Sequence, residues 1–343
     1  MTDASRPPIL TRTSTIVPVA VLLLILLGWG RIGALHAGPP MQGQRGDIRI
    51  EFARDGHRRT SVLLVPEGSP PAAGWPVVLL LHGAGGNGEQ GLDSNGWRTV
   101  ALRERFVVVA ADGTPADENR RARFLGNMRT WNSGTGSGLS ETGNSAVTRG
   151  IDDVGFLVAL LDTVARRVRV DARRIFVAGH SNGAGMTYRL AAEHPERFAA
   201  VGTMAGHLFA DAPRLLPSPV PLVQIVGDAD PLVPMRGGPV RVGRSTVTLR
   251  PALESPARWA AMNGVRDTAR IIRDDSVTVR SWGSVDGRRA VTSYVVKGHG
   301  HRWLWPGADR LPERVIGPTR AALNATETMW AFFAAHPRSA AVP

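Results

Sequence analysis

The pentapeptide Gly179-His180-Ser181-Asn182-Gly183 sets one hydroxyl between two glycines. A serine in this G-x-S-x-G pattern can act as a nucleophile when a sharp strand-to-helix turn lifts its Oγ above a sheet, a turn in which bulky side chains two positions away on either side would clash. In a chain with 39 glycines among 343 residues, the pattern alone also fits an ordinary glycine-rich turn with a capping serine. The flanks favour the first reading. Residues 175–178 (Ile-Phe-Val-Ala) read as a short buried strand, and a helical pattern runs from Asn182 to about Glu193. A helix starting at Asn182 would direct free N–H groups and its positive dipole end at the reacting centre.

A nucleophilic serine needs a base, a carboxylate that orients the base, and donors for an oxyanion; on an open α/β sheet the chain order is serine, acid, histidine. The stretch "VQIVGDADPLVP" puts Asp228 and Asp230 just past a predicted strand. Asp230 is the better-placed acid because Pro231 fixes the turn beneath it, leaving Asp228 as a turn residue. The stretch "VVKGHGHRWLWPG" puts His299 and His301 in a glycine-flanked loop after the last strand, and either histidine is open as the base. The stretch "VVLLLHGAGGNG" puts His82-Gly83-Ala84-Gly85-Gly86 after the third predicted strand, where free backbone N–H groups can join that of Asn182 around an oxyanion. His82 itself reads as a histidine hydrogen-bonded within its loop. Asp152 and Asp153, just before "VGFLVALL", read as a helix N-cap and a first-turn acid. No histidine or carboxylate cluster has metal-ligand spacing, so no metal and no cofactor is expected.

These residues need a scaffold that brings distant segments to one edge. Apolar runs at residues 48–53, 60–65, 77–82, 106–110, 175–178, 199–204, 222–226 and 293–297 predict eight strands, the later ones separated by helical patterns. That alternation predicts an α/β fold with a mostly parallel eight-stranded sheet covered by helices on both faces, binding its ligand at the carboxyl ends of the strands. Two glycine-rich loops interrupt it. "SGTGSGLSETGNS" (133–145) and "MRGGPVRVGRS" (235–245) each read as a mobile rim of the site or a tolerated insertion, the rim being the favoured reading for the first.

The length fits one catalytic domain over residues 47–337, with an N-terminal segment at 1–46 and a short tail at 338–343. In the first segment Arg6 and Arg12 precede an apolar run at 16–29, and small residues follow at 34–38. That order is expected of an export signal, placing the protein in a secreted or periplasmic location; left uncleaved, the segment would be a membrane anchor and the only contact with a membrane. With no cysteine there is neither disulfide nor thiol chemistry. The formal charge of +12 rests almost wholly on arginine, since Lys297 is the one lysine, and arginines cluster at Arg120-Arg121-Arg123, Arg166-Arg167-Arg169 and Arg173-Arg174. No aromatic platform or nucleic-acid module accompanies them, so no nucleic-acid partner is expected.

The stretches "SNGWRTVALRERFVVVAADG", "WN" at Trp131-Asn132, "DDVGFLVALLD", "RRIFVAGHSNGAGMTYRLA", "GDADPLVP", "GHGHRW" and "NATETMWAFF" together resemble the polyhydroxybutyrate depolymerase and feruloyl-esterase-like family of α/β-hydrolases, over roughly residues 48–333. The resemblance implies Ser181 as nucleophile, Asp230 as acid and His301 as base, since Gly300-His301-Arg302-Trp303 matches the family's glycine-histidine-any-tryptophan order. It implies the backbone N–H groups of Ala84 and Asn182 as oxyanion donors, and makes His82, Trp131, Asn132 and Trp303 candidate substrate contacts. Two departures stand out. Many members carry a cysteine where Ala84 stands, and the family's "GHxWPG" is stretched here to "GHRWLWPG". The implied function is hydrolysis of a carboxylic ester, whether polyester, polysaccharide ester or small soluble ester. The alternative is a non-catalytic cell-envelope binding protein on a hydrolase scaffold.

Overall fold

The computed structural model describes residues 47–124, 126–137, 144–209, 215–242, 245–284, 287–308 and 311–338. The predicted export segment, the tail beyond Arg338 and the middle of the 133–145 loop lie outside the described residues.

Strand β3 (Trp75–Leu81) shows how the core is built. Val77, Leu79 and Leu81 point to one face and Val78 and Leu80 to the other, and all are buried. A strand apolar on both sides belongs in the middle of a sheet with helices above and below. The chain runs through β1 (Asp47–Arg54), β2 (His57–Leu64), β3, β4 (Val107–Ala111), the short β5 (Thr114–Pro115) and β6 (Arg129–Thr130), β7 (Val170–His180), β8 (Ala200–Met204), β9 (Leu222–Gly227), β10 (Gly238–Val242), β11 (Ser245–Leu249), β12 (Arg270–Arg273), β13 (Val277–Trp282) and β14 (Val291–Val296). Ten of these form one sheet, in the order β1-β2-β4-β3-β7-β8-β9-β14-β13-β12. From β4 to β14 every neighbouring pair is parallel, and antiparallel pairs close both edges.

The expected eight strands are therefore ten, because β12 and β13 escape the apolar-run criterion. Strand β12 reads Arg-Ile-Ile-Arg and is exposed along its length, a charged edge of the kind that blocks further strand pairing. Strand β13 is interrupted by Arg280 and Ser281. The 235–245 segment, expected as a loop, contributes to an antiparallel pair of its own, β10 with β11.

Helices cover both faces. On one lie α3 (Asp153–Arg167), α4 (Asn182–Glu193) and α5 (Glu254–Met262), through residues such as Phe156, Leu160, Tyr188 and Trp259. On the other lie α1 (Gly88–Ser94), α2 (Trp97–Glu104) and α7 (Ala325–Ala335), through Leu92, Trp97, Met329 and Phe333; the single-turn α6 (Glu313–Ile316) precedes α7. Asp152 caps α3 by accepting the Gly155 N–H at 2.8 Å. Its neighbour Asp153 is fully buried and paired with Arg59 at 2.5 Å, while the Arg59 guanidinium lies 3.8 Å above the Phe156 ring. Asp153 also accepts the Asn132 N–H at 2.7 Å, so the first turn of α3 anchors the loop after β6.

Candidate active site

Parallel strands deliver their carboxyl ends to one edge, and the chemically competent residues gather there. His82 follows β3, Ser181 follows β7, His207 follows β8, Asp230 follows β9, and His299 and His301 follow β14.

Ser181 links β7 to α4 with φ 54° and ψ −117°, a conformation that non-glycine residues rarely adopt. A side chain at Gly179 would overlap the Gly183 carbonyl, and one at Gly183 would overlap the Leu81 carbonyl. Both glycines are thus required by close packing, as the sequence pattern anticipates. The Ser181 N–H donates to the Met204 carbonyl at 2.9 Å, and its side chain makes no cap bond to the helix. The hydroxyl faces elsewhere: Ser181 Oγ lies 2.8 Å from His301 Nε2, and His301 Nδ1 lies 2.8 Å from Asp230 Oδ2.

The other oxygen of Asp230 accepts the N–H groups of Leu232 at 2.7 Å and Val233 at 2.8 Å. Burial pushes the Asp230 carboxyl up, but the charge and hydrogen bond of His301, with the two N–H donors, outweigh it and hold Asp230 below the ordinary carboxylate range. A carboxylate on Nδ1 leaves Nε2 free to exchange a proton with the serine hydroxyl. Asp228 does something different: it is exposed, and it accepts the Gly298 N–H at 2.5 Å.

The oxyanion candidates lie beside the serine. Asn182 is the first residue of α4, so its N–H has no carbonyl one turn back to satisfy it. A Cβ added to Gly83 would come within 3.4 Å of Ser181 Cβ, which sets the Gly83-Ala84 turn alongside the hydroxyl-bearing carbon. The Asn182 side chain has a role that the sequence did not reveal. It accepts the Trp131 N–H at 2.7 Å and donates to the Trp131 carbonyl and to Ser133 Oγ, both at 3.0 Å, tying the 131–133 loop to the elbow.

The four candidate substrate contacts all carry hydrogen bonds within the protein. His82 is buried and its Nε2 accepts the Gly113 N–H at 2.9 Å, so Nδ1 carries the proton and donates to the Gly83 carbonyl at 2.7 Å. Burial drives its pKa down to about 4. Trp131 is fully buried, its indole N–H on the His82 carbonyl at 2.9 Å. The Asn132 side chain donates to the Ile151 carbonyl at 2.9 Å, and its own carbonyl accepts from Arg189 at 2.7 Å. Trp303 is turned into the core, donating to Thr326 Oγ1 at 2.9 Å and packing 6.1 Å from the ring of Trp97. His82, Trp131 and Trp303 are buried with these groups turned to the protein, whereas Asn132 remains partly exposed.

His299 is also committed. It is completely buried, its Nδ1 accepts the Arg320 N–H at 3.1 Å, and its Nε2 faces the Arg302 carbonyl at 3.1 Å. Two further histidines were not singled out from the sequence. The His180 ring lies 5.2 Å from that of His301 and edge-on to Trp303, and burial lowers its pKa to about 3. His207 is buried with its pKa lowered to about 4, again chiefly by burial. Its only sequence signal is its place just past the end of an apolar strand.

A hydroxyl on an imidazole, an imidazole on a carboxylate, and backbone donors at a helix N-terminus are the parts needed for nucleophilic attack on an acyl carbon.

Comparison with known proteins points the same way. Residues 53–281 match the Esterase family model, described as "Putative esterase". The chain is 30% identical over 293 residues to a Nocardia uniformis subsp. tsuyamanensis protein named "Putative esterase NocK", covering 80% of this chain and 78% of that protein. It is 27% identical to feruloyl esterase C of Emericella nidulans, covering 64% of this chain and 72% of the relative. The fold is shared with the acetyl xylan esterase from Aspergillus awamori at a TM-score of 0.52 and 15% identity, over 81% of this chain and 94% of that one.

Proposed function

We propose, on the premise that the chain belongs to this esterase family of α/β-hydrolases, that it hydrolyses carboxylic esters through Ser181, His301 and Asp230. The observation that carries the residue roles is the unbroken hydrogen-bonded line from Asp230 through His301 to Ser181, with 2.8 Å at both links.

In this mechanism His301 Nε2 takes the Ser181 proton as Oγ adds to the ester carbonyl carbon. The Asp230 carboxylate holds the imidazole in the tautomer that accepts at Nε2, and stabilises the imidazolium that forms. Negative charge that builds on the carbonyl oxygen is met by the N–H groups of Ala84 and Asn182. The tetrahedral adduct collapses, the C–O bond to the alcohol breaks, and the imidazolium returns its proton to the departing alkoxide oxygen. Water then repeats the sequence: His301 removes its proton, the oxygen adds to the acyl carbon, and Ser181 leaves with the proton restored. The reaction consumes one water and yields one acid and one alcohol.

Turnover of p-nitrophenyl acetate and butyrate by the full chain, with mapping of a fluorophosphonate adduct, tests this reading. The expected result is p-nitrophenol release together with a single labelled peptide containing Ser181. Label on another serine would move the site, and absence of both turnover and label would reject the activity. The export expectation for residues 1–46 belongs to the same proposal. N-terminal sequencing of the native protein checks it: a start near Gly38 supports secretion, whereas an intact Met1 in a soluble cytoplasmic fraction contradicts it.

A further inference from the structure

The three arginine clusters visible in the sequence do not fare alike in the fold. In the second and third, all guanidinium groups but that of the exposed Arg167 are spent on their surroundings: Arg166 donates to Thr163 Oγ1, Arg169 to the Ala72 carbonyl, Arg173 to the Arg338 carbonyl, and Arg174 pairs with Asp171. In the first cluster the guanidinium groups of Arg120, Arg121 and Arg123 have no ion-pair or hydrogen-bond partner among the described residues. Together with Gly126 and Asn127 they line one cavity of about 260 Å³.

That gathering is built by the loop. Asn127 is buried, and its Nδ2 donates to the carbonyls of Asp117, Arg120 and Arg121 at 2.9, 3.0 and 3.2 Å, which folds the backbone that carries the arginines around a single side chain. The loop's own acids are engaged elsewhere. Asp117 Oδ1 accepts the Asn119 N–H, and Glu118 bridges His57 and Arg149. The three arginines are exposed, so water screens their mutual repulsion, and an anionic ligand would meet guanidinium groups that no carboxylate of the described residues has already engaged.

The cavity's position ties it to the reaction. Its loop joins β5 to β6, a short hairpin that begins just beyond the carboxyl end of β4; β4 is parallel to β3 and two strands from β7, so the hairpin starts at the same edge as Ser181. It also packs on the oxyanion turn: Gly85 donates its N–H to the Arg129 carbonyl at 2.8 Å, and a Cβ at Gly85 would lie 2.6 Å from Phe124 Cδ2. At about 260 Å³ it is smaller than the roughly 300–1,000 Å³ of a pocket that holds a whole ligand, and fits a single charged group of a larger one.

We infer that Arg120, Arg121 and Arg123 form an accessory subsite for a free carboxylate on the ester substrate, so that the enzyme prefers esters bearing a second, ionised acid group. Planar guanidinium groups bind carboxylates in bidentate fashion, and the pull of the patch extends about one Debye length, roughly 10 Å at 0.1 M salt. The inference rests on the esterase reading, since it assigns substrate to that site.

The test compares p-nitrophenyl monoesters of dicarboxylic acids, from adipate to sebacate, with the same compounds capped as methyl esters. At low salt the wild type should favour the free acids in kcat/KM by at least about tenfold. The triple variant Arg120→Gln/Arg121→Gln/Arg123→Gln should lose that preference and keep its turnover of p-nitrophenyl acetate. A control with equal charge loss, Arg266→Gln/Arg270→Gln/Arg273→Gln, alters exposed positions at or beside β12, on the opposite edge of the sheet, and should retain it. Equal loss in both variants would reduce the effect to the general field of the protein and overturn the subsite, as would a wild type without preference. Retardation of the Ser181→Ala protein by polygalacturonate in a gel gives a second readout that needs no turnover. Should the esters resist hydrolysis altogether, the esterase reading fails, while retardation that requires Arg120, Arg121 and Arg123 would still mark an anion site. Tighter binding of a DNA oligonucleotide than of polygalacturonate through the same arginines would overturn the carboxylate assignment.

Discussion

His299 and His301 share one turn after β14, both buried and both flanked by glycine, yet they meet opposite kinds of partner. His299 is held between two backbone groups, the Arg320 N–H and the Arg302 carbonyl. His301 lies between a carboxylate and a hydroxyl. An imidazole whose two nitrogens both face peptide groups has no proton to trade, whereas one between Asp230 and Ser181 sits on a path along which a proton can move. Residue type and burial are the same; the partner decides the chemistry.

The comparison breaks most sharply by substitution. His301→Ala and Ser181→Ala should each lower kcat by about four to six orders of magnitude with the fold intact, and the double variant should be hardly worse than either, because such groups act as a unit. His299→Ala should cost at most about tenfold in kcat, while unpairing the Arg320 N–H and the Arg302 carbonyl destabilises the fold by about 1–3 kcal/mol. Steady-state kinetics beside urea unfolding separates the two. A dead His299→Ala enzyme of unchanged stability, with an active His301→Ala enzyme, would exchange the roles.

Asp230 sharpens the contrast from the acid side. Asp230→Asn preserves shape but favours the tautomer with its proton on Nε2, and should lower kcat by about 10⁴-fold. In the wild type the carboxyl is held below its ordinary range, so its share of stability is present above the unfolded-state pKa and disappears as pH falls through the lower native value. Unaltered kcat in Asp230→Asn would remove Asp230 from the mechanism.

The buried histidines outside the line to Ser181 should appear in stability rather than in rate. His82 and His207 are neutral in the native state, with pKa values of about 4. The unfolded chain takes up protons on these residues below about pH 6.5, so it binds more protons than the native state between there and about pH 4. Stability should therefore fall as pH is lowered through that window, by up to about 1.4 kcal/mol per pH unit for each ring. Urea midpoints at successive pH values measure the slope, and His207→Phe should flatten it by one ring's share. A slope unchanged by that substitution would mean that His207 is already protonated when folded.

How much of this was readable beforehand follows from where information is local. The central strands are short continuous apolar runs such as Val107–Ala111, and the elbow needs its glycines within two residues of Ser181, so both are written in adjacent positions. Strand β12 was hidden because an exposed edge needs charge rather than apolar side chains. The orientations of Trp131 and Trp303 were hidden for another reason. A tryptophan beside a motif says nothing of its rotamer, and here each indole N–H finds its acceptor on a distant segment, the His82 carbonyl or Thr326 Oγ1. His207 carried no local signal beyond its place after an apolar strand, because its relation to Asp230 and His301 arises only when β8 is laid beside β9.

Trp303 provides the smallest effect and the finest check on the boundary between site and core. Its indole is nearly inaccessible, packs against Trp97 and stands edge-on to His180, and its N–H reaches Thr326, whose hydroxyl in turn donates to the Asn95 carbonyl at 2.5 Å. Trp303→Phe keeps most of the packing, removes the donor and leaves Thr326 its bond to Asn95. A net loss of about 1 kcal/mol is expected, lowering Tm by about 2 °C. Because the ring faces the core, KM for p-nitrophenyl butyrate and for a bulkier aryl ester should stay within about twofold of wild type. A rise in KM for the bulkier ester at constant kcat would mean that Trp303 turns outward to meet substrate, and would restore to it the contact that its neighbourhood in Gly300-His301-Arg302-Trp303 suggests.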